Sequence, residues 1–362
     1  MSVGEIITYI MLAFAVLGGL DRAFGSRLGL GKAFERGFES MGALVLAMVG
    51  LMAAAPLIAQ YLAPVLSPFF QAIGIDPSVV AGSLLINDSG GWALAQELAQ
   101  DSLLGKFFGS VVAAIMGCTI VGAFPMCFML MPKEKYPLVA KGMTIGFITI
   151  PVGCFVGGLC FGISLGTLLL NILPMILFSG LFILGLTFCE KLTLKIVTIM
   201  GYIITAVVTL ALLISMVLKV TGKEFAGFVP FDECIVIIGS IAIFICGAFT
   251  LLQIVEKLFG KGLSRLGKRM GLDDHAFLGL LTTAVNAIPM FAMTKKMSDR
   301  GIIVNIAFMV PASYALGDHL AFQAAVDTTT VVPTIAGKLV GGVLAVLLAL
   351  LLTKPKKRSL ES

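Results

Sequence analysis

Charge is what this sequence has least of. Of its 362 residues, 12% are Asp, Glu, Lys or Arg, 59% are hydrophobic, and mean hydropathy is +1.06. A soluble domain carries about 25% charged and about 45–50% apolar residues, so a water-facing globule is excluded and lipid is the solvent that fits. Histidine is nearly missing: His275 and His319 are the only two, which excludes a histidine-rich metal site. The seven cysteines are odd in number, form no Cys-x-x-Cys pair and lie in apolar stretches. They are expected to be small buried hydrophobes. A Gly-rich phosphate loop ending in Lys-Ser/Thr is lacking, which argues against ATP-driven pumping by this chain, and no metal or cofactor is expected. The net charge of +5 does not indicate nucleic acid, because the basic residues are spread over short loops and the tail Lys354, Lys356, Lys357 and Arg358 rather than gathered on one soluble face.

What is present is a series of apolar runs. A membrane span needs about 20 mostly apolar residues. Runs meeting that need are read at 4–20, 41–62, 106–131, 140–162, 166–189, 195–218, 234–256, 301–317 and 335–353. The first run has no basic residue before it, and Arg22, Arg27, Lys32 and Arg36 follow it. It reads as a retained span with its N-terminus outside rather than a cleaved signal. Two more apolar segments, 78–98 and 275–294, are interrupted, by Asn87-Asp88-Ser89-Gly90-Gly91 and by Asn286-Ala287-Ile288-Pro289. If both crossed, the basic loops 132–141, 190–195 and 257–274 would fall outside, against the positive-inside rule. If both dip in and return, 21 of the 25 basic residues share the cytoplasmic face. The fold class expected is therefore an all-α polytopic membrane protein with about 9–11 transmembrane helices and two re-entrant segments.

A faint repeat accompanies this topology. Phe38-Glu39 resembles Phe231-Asp232, and Gly74-Ile75-Asp76 resembles Gly271-Leu272-Asp273, while Lys141 and Lys338 share the 197-residue offset of those glycines. Residues 1–165 then form a first repeat, 166–194 a connecting span and 195–362 an inverted second repeat. Inverted repeats with broken helices at the bilayer midplane are a signature of secondary transporters, so carriage of a small polar solute is expected.

The breaks hold the candidate site. Irregular backbone at membrane depth survives only where it lines a cavity or is buried in protein. Asp88 is the leading candidate, because an acid at a helix centre costs about 2.5–3.5 kcal/mol on insertion scales; the alternative is a structural acid capping a half-helix. Asn87 and Ser89 flank it, and Gly90 and Gly91 free its backbone. Trp92, the only tryptophan, could cover a cation or anchor at the interface. Asn286 beside the helix-breaking Pro289 is the matching element of the second half. Asp318 is a further binding candidate and His319 a candidate proton relay, unless the pair lies in an outer loop. Asp327 is read as loop, and Asp273-Asp274-His275 as a helix N-cap rather than a metal motif.

The strings Met41-Gly42-Ala43-Leu44-Val45-Leu46, Asp88-x-Gly90-Gly91, Asn286-x-Ile288-Pro289-Met290, Ala315-Leu316-Gly317-Asp318-His319-Leu320 and Gly337-Lys338-Leu339-Val340-Gly341-Gly342 resemble the ethanolamine permease family of bacterial ethanolamine-utilisation operons. The likeness runs in order over nearly the whole chain. It implies a non-enzymatic carrier in the bacterial inner membrane, C-terminus cytoplasmic, with ethanolamine as substrate and the bilayer as its surroundings. Self-association into homo-oligomers is left open. The alternative is an ion-coupled symporter or exchanger of another small polar solute.

Overall fold

A computed structural model describes residues 3–353 and is helical throughout, with no strand among them. The expected tail, Lys354 to Arg358, lies outside the described residues, as do the side chains of Lys261, Arg265 and Lys268. The helices run α1 (Val3–Ala23), α2 (Gly31–Glu39), α3 (Met41–Ala72), α4 (Val79–Leu84) and α5 (Trp92–Leu98). Next come α6 (Ser102–Phe107) and α7 (Phe124–Leu130), joined without a gap by the wide-turn π segment Phe108–Ala123. Then follow α8 (Tyr136–Cys160), α9 (Leu165–Phe188), α10 (Glu190–Thr221) and α11 (Phe231–Arg269). The chain ends with α12 (Asp274–Val285), α13 (Ile288–Met293), α14 (Asp299–Ala312), α15 (Asp318–Val326) and α16 (Val331–Leu352). Among the described residues, eight helical stretches are long and apolar enough to cross a membrane, and they coincide with eight of the nine expected spans. The protein is a polytopic all-α membrane protein.

Three expectations need correction. The run 301–317 is not one helix: α14 stops at Ala312, Tyr314 takes a left-handed φ of +60°, and the helix restarts at Asp318. Thr283 and Ala284 accept from the N–H groups of Tyr314 and Leu316 at 3.0 and 2.7 Å, so tertiary bonds hold this break open. The basic stretch 257–274 is not a loop either, because α11 continues to Arg269. Five cysteines are buried as expected, but Cys160 and Cys189 are exposed.

Proline and glycine shape the bundle. Pro56 lies inside α3 and has no N–H to give the helix. The neighbouring backbone groups turn outward: Leu57 donates to Gly227 O at 3.1 Å, and Ala53 O accepts from Val229 at 2.8 Å. Backbone freed by proline in a membrane is tolerated when a neighbouring segment satisfies it in this way. Across the bundle, α8 crosses α16 where Gly153 and Gly337 face each other. A Cβ on either would press on the other's carbonyl at 2.7 Å, so close approach requires glycine at both. The outer faces of α9 and α10 carry exposed Leu, Ile, Val and Tyr side chains, such as Leu177, Leu181, Tyr202 and Leu210, as a lipid-facing surface requires.

Candidate functional site

Both interrupted segments are closed hairpins. In the first, the buried Asp76 accepts from Ser78 N and Oγ at its start and from Gln100 N and Asp101 N at its end, the last two at 3.0 Å. In the second, Asp273 caps α12 through Ala276 N at 2.8 Å and accepts from Ser298 N and Oγ at 2.9 and 2.8 Å. Each carboxylate thus ties the entry of its segment to the N-cap residue of the next helix, 25 positions on in both cases. Partial burial pushes the Asp273 carboxyl up, but the hydrogen bonds from Ser298 and Ala276 outweigh it and hold it below the usual carboxylate range. The N-cap reading of Asp273 holds.

At the tip of the first hairpin, Ser89 leaves helical geometry and Gly90 adopts φ +90°. A side chain on Gly90 would collide with Leu51, so glycine is required there twice over. Asp88 is 8% exposed and accepts from Ser89 Oγ at 3.1 Å. Asn87 is fully buried, and neither its amide oxygen nor its nitrogen finds a partner. A buried amide normally has one, so Asn87 presents unused donor and acceptor capacity next to the acid.

The α14–α15 break comes to the same place. Asp318 lies within electrostatic reach of Asp88. His319 is 2% exposed, lies with its ring centroid 5.4 Å from that of Tyr314 and tilted by 36°, and leaves its Nδ1 unpartnered. Asp318 and His319 are therefore not in an outer loop. Near them is a residue that sequence reasoning used only to mark the repeat and the family resemblance, not as a site candidate. Lys338, on α16, is 0% exposed, and its Nζ donates to Ala114 O in the π segment. It is within electrostatic reach of Asp88, yet none of the ion pairs among the described residues includes it. Its signal was available in the sequence: an ionisable residue inside an apolar run is functional by default. Two acids and one lysine leave the trio with a formal charge of −1, which one monovalent cation would balance.

The structure does not bring Asn286 to this group. Asn286 Oδ1 accepts from Ile288 N at 2.9 Å, capping its own break. Asn286 and Pro289 line a cavity of about 420 Å³ with Arg36, Glu39 and Gln253. Asn87, Gly90 and Trp92 line a different one, of about 390 Å³, whose rim carries Glu97 and Glu233. The two linings share no residue. Gly91 sits against the carbonyls of Ile86 and Leu85 behind the tip. Asp327 pairs with Lys106 at 2.7 Å and caps Thr329, so it is committed to structure.

Comparison with known proteins places this geometry in context. The model of the family described as "Ethanolamine utilisation protein, EutH" matches residues 3–352. A probable ethanolamine permease EutH from Listeria monocytogenes is 43% identical over 347 residues, covering 96% of this chain and 93% of the relative. An uncharacterized protein, YxeR, of Bacillus subtilis is 38% identical, covering 95% of this chain and 94% of its own length. A probable ethanolamine permease EutH of Escherichia coli K12 is 35% identical, covering 99% and 97%. No solved structure matches the chain.

Proposed function

Because this chain belongs to the ethanolamine utilisation protein EutH family, we propose that it imports protonated ethanolamine across the bacterial cytoplasmic membrane by potential-driven uniport. The observation that carries the reading is the buried acid Asp88 at a backbone break, joined by Asp318 and by Lys338, the single buried lysine among the described residues. A primary amine such as ethanolamine's is mostly cationic at neutral pH, as lysine's is. In this reading Asp88 holds the ammonium and Asp318 is its second carboxylate. Asn87 and Ser89 satisfy the hydroxyl and the remaining ammonium protons, and Trp92 covers the cation on its way in. Gly90 and Gly91 give the backbone freedom the tip needs, Pro289 the corresponding break in the second hairpin, and Asn286 serves the solute in the second cavity. His319 and Lys338 supply titratable groups beside the acids. They are the specific feature favouring the second reading, coupling to a proton.

The driving force is adequate without ATP. Moving one positive charge inward gains about 2.3 kcal/mol per 100 mV. At about 1.4 kcal/mol per tenfold, that sustains roughly 50-fold accumulation. The N-terminus lies outside and the basic loops face the cytoplasm, with the two hairpins dipping in from opposite faces as halves of an inverted repeat. No catalytic role is assigned to any residue.

The test is counterflow. Proteoliposomes preloaded with unlabelled ethanolamine and diluted into radiolabelled ethanolamine at pH 6 should take up label faster than protein-free liposomes. The transient overshoot of internal label above the external level should vanish when the lumen is empty and no potential is imposed. Label entry equal to that of bare liposomes refutes ethanolamine as substrate.

A further inference from the structure

The two cavities at the broken hairpins are counterparts. On α3, Met52, Ala55 and Pro56 line the first, and on α11, Phe249, Leu252 and Gln253 line the second. Each pair differs by 197 in number. The same offset relates Trp92 to Pro289, and in the opposite sense Glu233 to Arg36 and Ile237 to Ser40. Six of the ten residues lining the second cavity therefore have a partner lining the first. The 197-residue spacing is also that of the two hairpin-closing aspartates, Asp76 and Asp273.

Position along the helices sets the cavities apart. Glu233 and Gln253 are 20 residues apart on α11, which at 1.5 Å per residue is about 30 Å, the thickness of the hydrocarbon core. Helix α3 runs the other way. Its start lies near the middle of α11, where Gly37, just before it, packs on Cys246, and Leu57 bonds to Gly227 ahead of α11. Helix α11 thus lines the first cavity at its start and the second near its middle, while α3 lines the first near its middle and the second is lined by α2 and by Ser40, which caps the start of α3. Between the cavities lie the acids: Asn87 of the first adjoins Asp88, and Val285 of the second is covered by Gly317, next to Asp318.

We infer that the two cavities are the outer and inner mouths of one solute route, with Asp88 and Asp318 at the partition between them. This rests on the transport reading above and specifies its path. The mouths differ in charge. The rim of the first has two carboxylates, Glu97 and Glu233, while the second sets Arg36 beside Glu39. An acidic mouth concentrates small cations, so the first is the entry, on the extracellular side, and the mixed second mouth is the exit.

Sidedness of thiol labelling tests this. The background is Cys160→Ser, Cys189→Ser and Cys234→Ala, which removes the two exposed thiols and the one in the first cavity. Ala93→Cys probes the first mouth and Thr282→Cys the second; both positions are partly exposed. A membrane-impermeant maleimide should label Ala93→Cys in right-side-out vesicles and Thr282→Cys in inverted ones, each at least tenfold faster than from the opposite face. If either variant fails to insert, Ala325→Cys and Gln253→Cys replace the pair. Labelling of both positions from one face, or of neither in both pairs, overturns the inference. Ethanolamine counterflow by the background protein is measured in parallel: opposite-sided labelling without counterflow sinks the substrate while keeping the two mouths, and counterflow with one-sided labelling does the reverse.

Discussion

Replacing Asp88 with Asn removes one carboxylate from the trio of Asp88, Asp318 and Lys338 and keeps its shape. The formal charge of the trio rises from −1 to zero, and an arriving ammonium then meets Lys338 with only Asp318 to offset both. A hydrogen bond to a charged group contributes about 1.5–3 kcal/mol, which at about 1.4 kcal/mol per tenfold is roughly a 10- to 150-fold rise in KM for ethanolamine. The lysine supplies an internal control. Asp88→Asn combined with Lys338→Gln returns the trio to −1, so the double variant should recover part of the lost affinity. Coupling energies between residues of one network reach about 0.5–3 kcal/mol. The assay is initial-rate uptake of radiolabelled ethanolamine at pH 6 in proteoliposomes under an imposed potential, for both single variants and the pair. An unchanged KM in Asp88→Asn refutes the site. A double variant no better than Asp88→Asn alone refutes the electrostatic role of Lys338.

Other outcomes follow from the scaffold. Asp76→Ala should cost about 3 kcal/mol, because the buried hydrogen-bond donors at Ser78, Gln100 and Asp101 lose a charged acceptor; thermal unfolding in detergent should start several degrees lower, with Asp76→Asn in between. Asp273 has a depressed carboxyl in the fold, so its contribution is present above the ordinary value of about 3.9 and is lost as pH falls through the lower folded value. The melting temperature of Asp273→Asn should accordingly show a weaker decline over that acid range than the parent's. Gly90→Ala should lose at least the 1–2 kcal/mol that a left-handed backbone costs any other residue, plus the clash with Leu51; Gly180→Ala, where nothing lies within 4 Å, should leave the melting point unchanged or raised. Glu97→Gln with Glu233→Gln should raise the KM a few-fold at low ionic strength and hardly at all in 0.5 M salt, since the field of exposed carboxylates is screened; a salt-independent change would count against cation recruitment at that mouth.

Much of this was legible in the sequence because lipid imposes a simple condition: each span must be long, apolar and internally bonded. Among the described residues, eight of the nine runs read from the sequence are helices of crossing length; the glycine-rich break falls at 87–91 as read, and the second falls at 286–287, within the 286–289 read for it. The ninth run failed because its flanking Pro311 and Gly317 do not by themselves show that the chain leaves the helix between them. Tyr314 occupies a left-handed position usually given to glycine, and the break is held by bonds from Tyr314 N to Thr283 O and from Leu316 N to Ala284 O, in the second hairpin. Asp318 was therefore visible as a candidate while its place within electrostatic reach of Asp88 was not. The role of Asp76 and Asp273 as hairpin closers depends on contacts 25 residues away, which no short-range pattern reveals. Lys338 was overlooked for a different reason: the apolar run around it is long enough to read as an ordinary span.

The most direct test of the central claim, that a cation is carried through a buried acid site by the membrane potential alone, is the accumulation ratio at steady state. Proteoliposomes are clamped at a series of potassium diffusion potentials with equal pH on both sides. The ratio of internal to external ethanolamine should rise tenfold for each increment of about 60 mV, inside negative, and should not change when a pH gradient is added at fixed potential. A ratio that ignores the potential and follows the pH gradient would contradict the account.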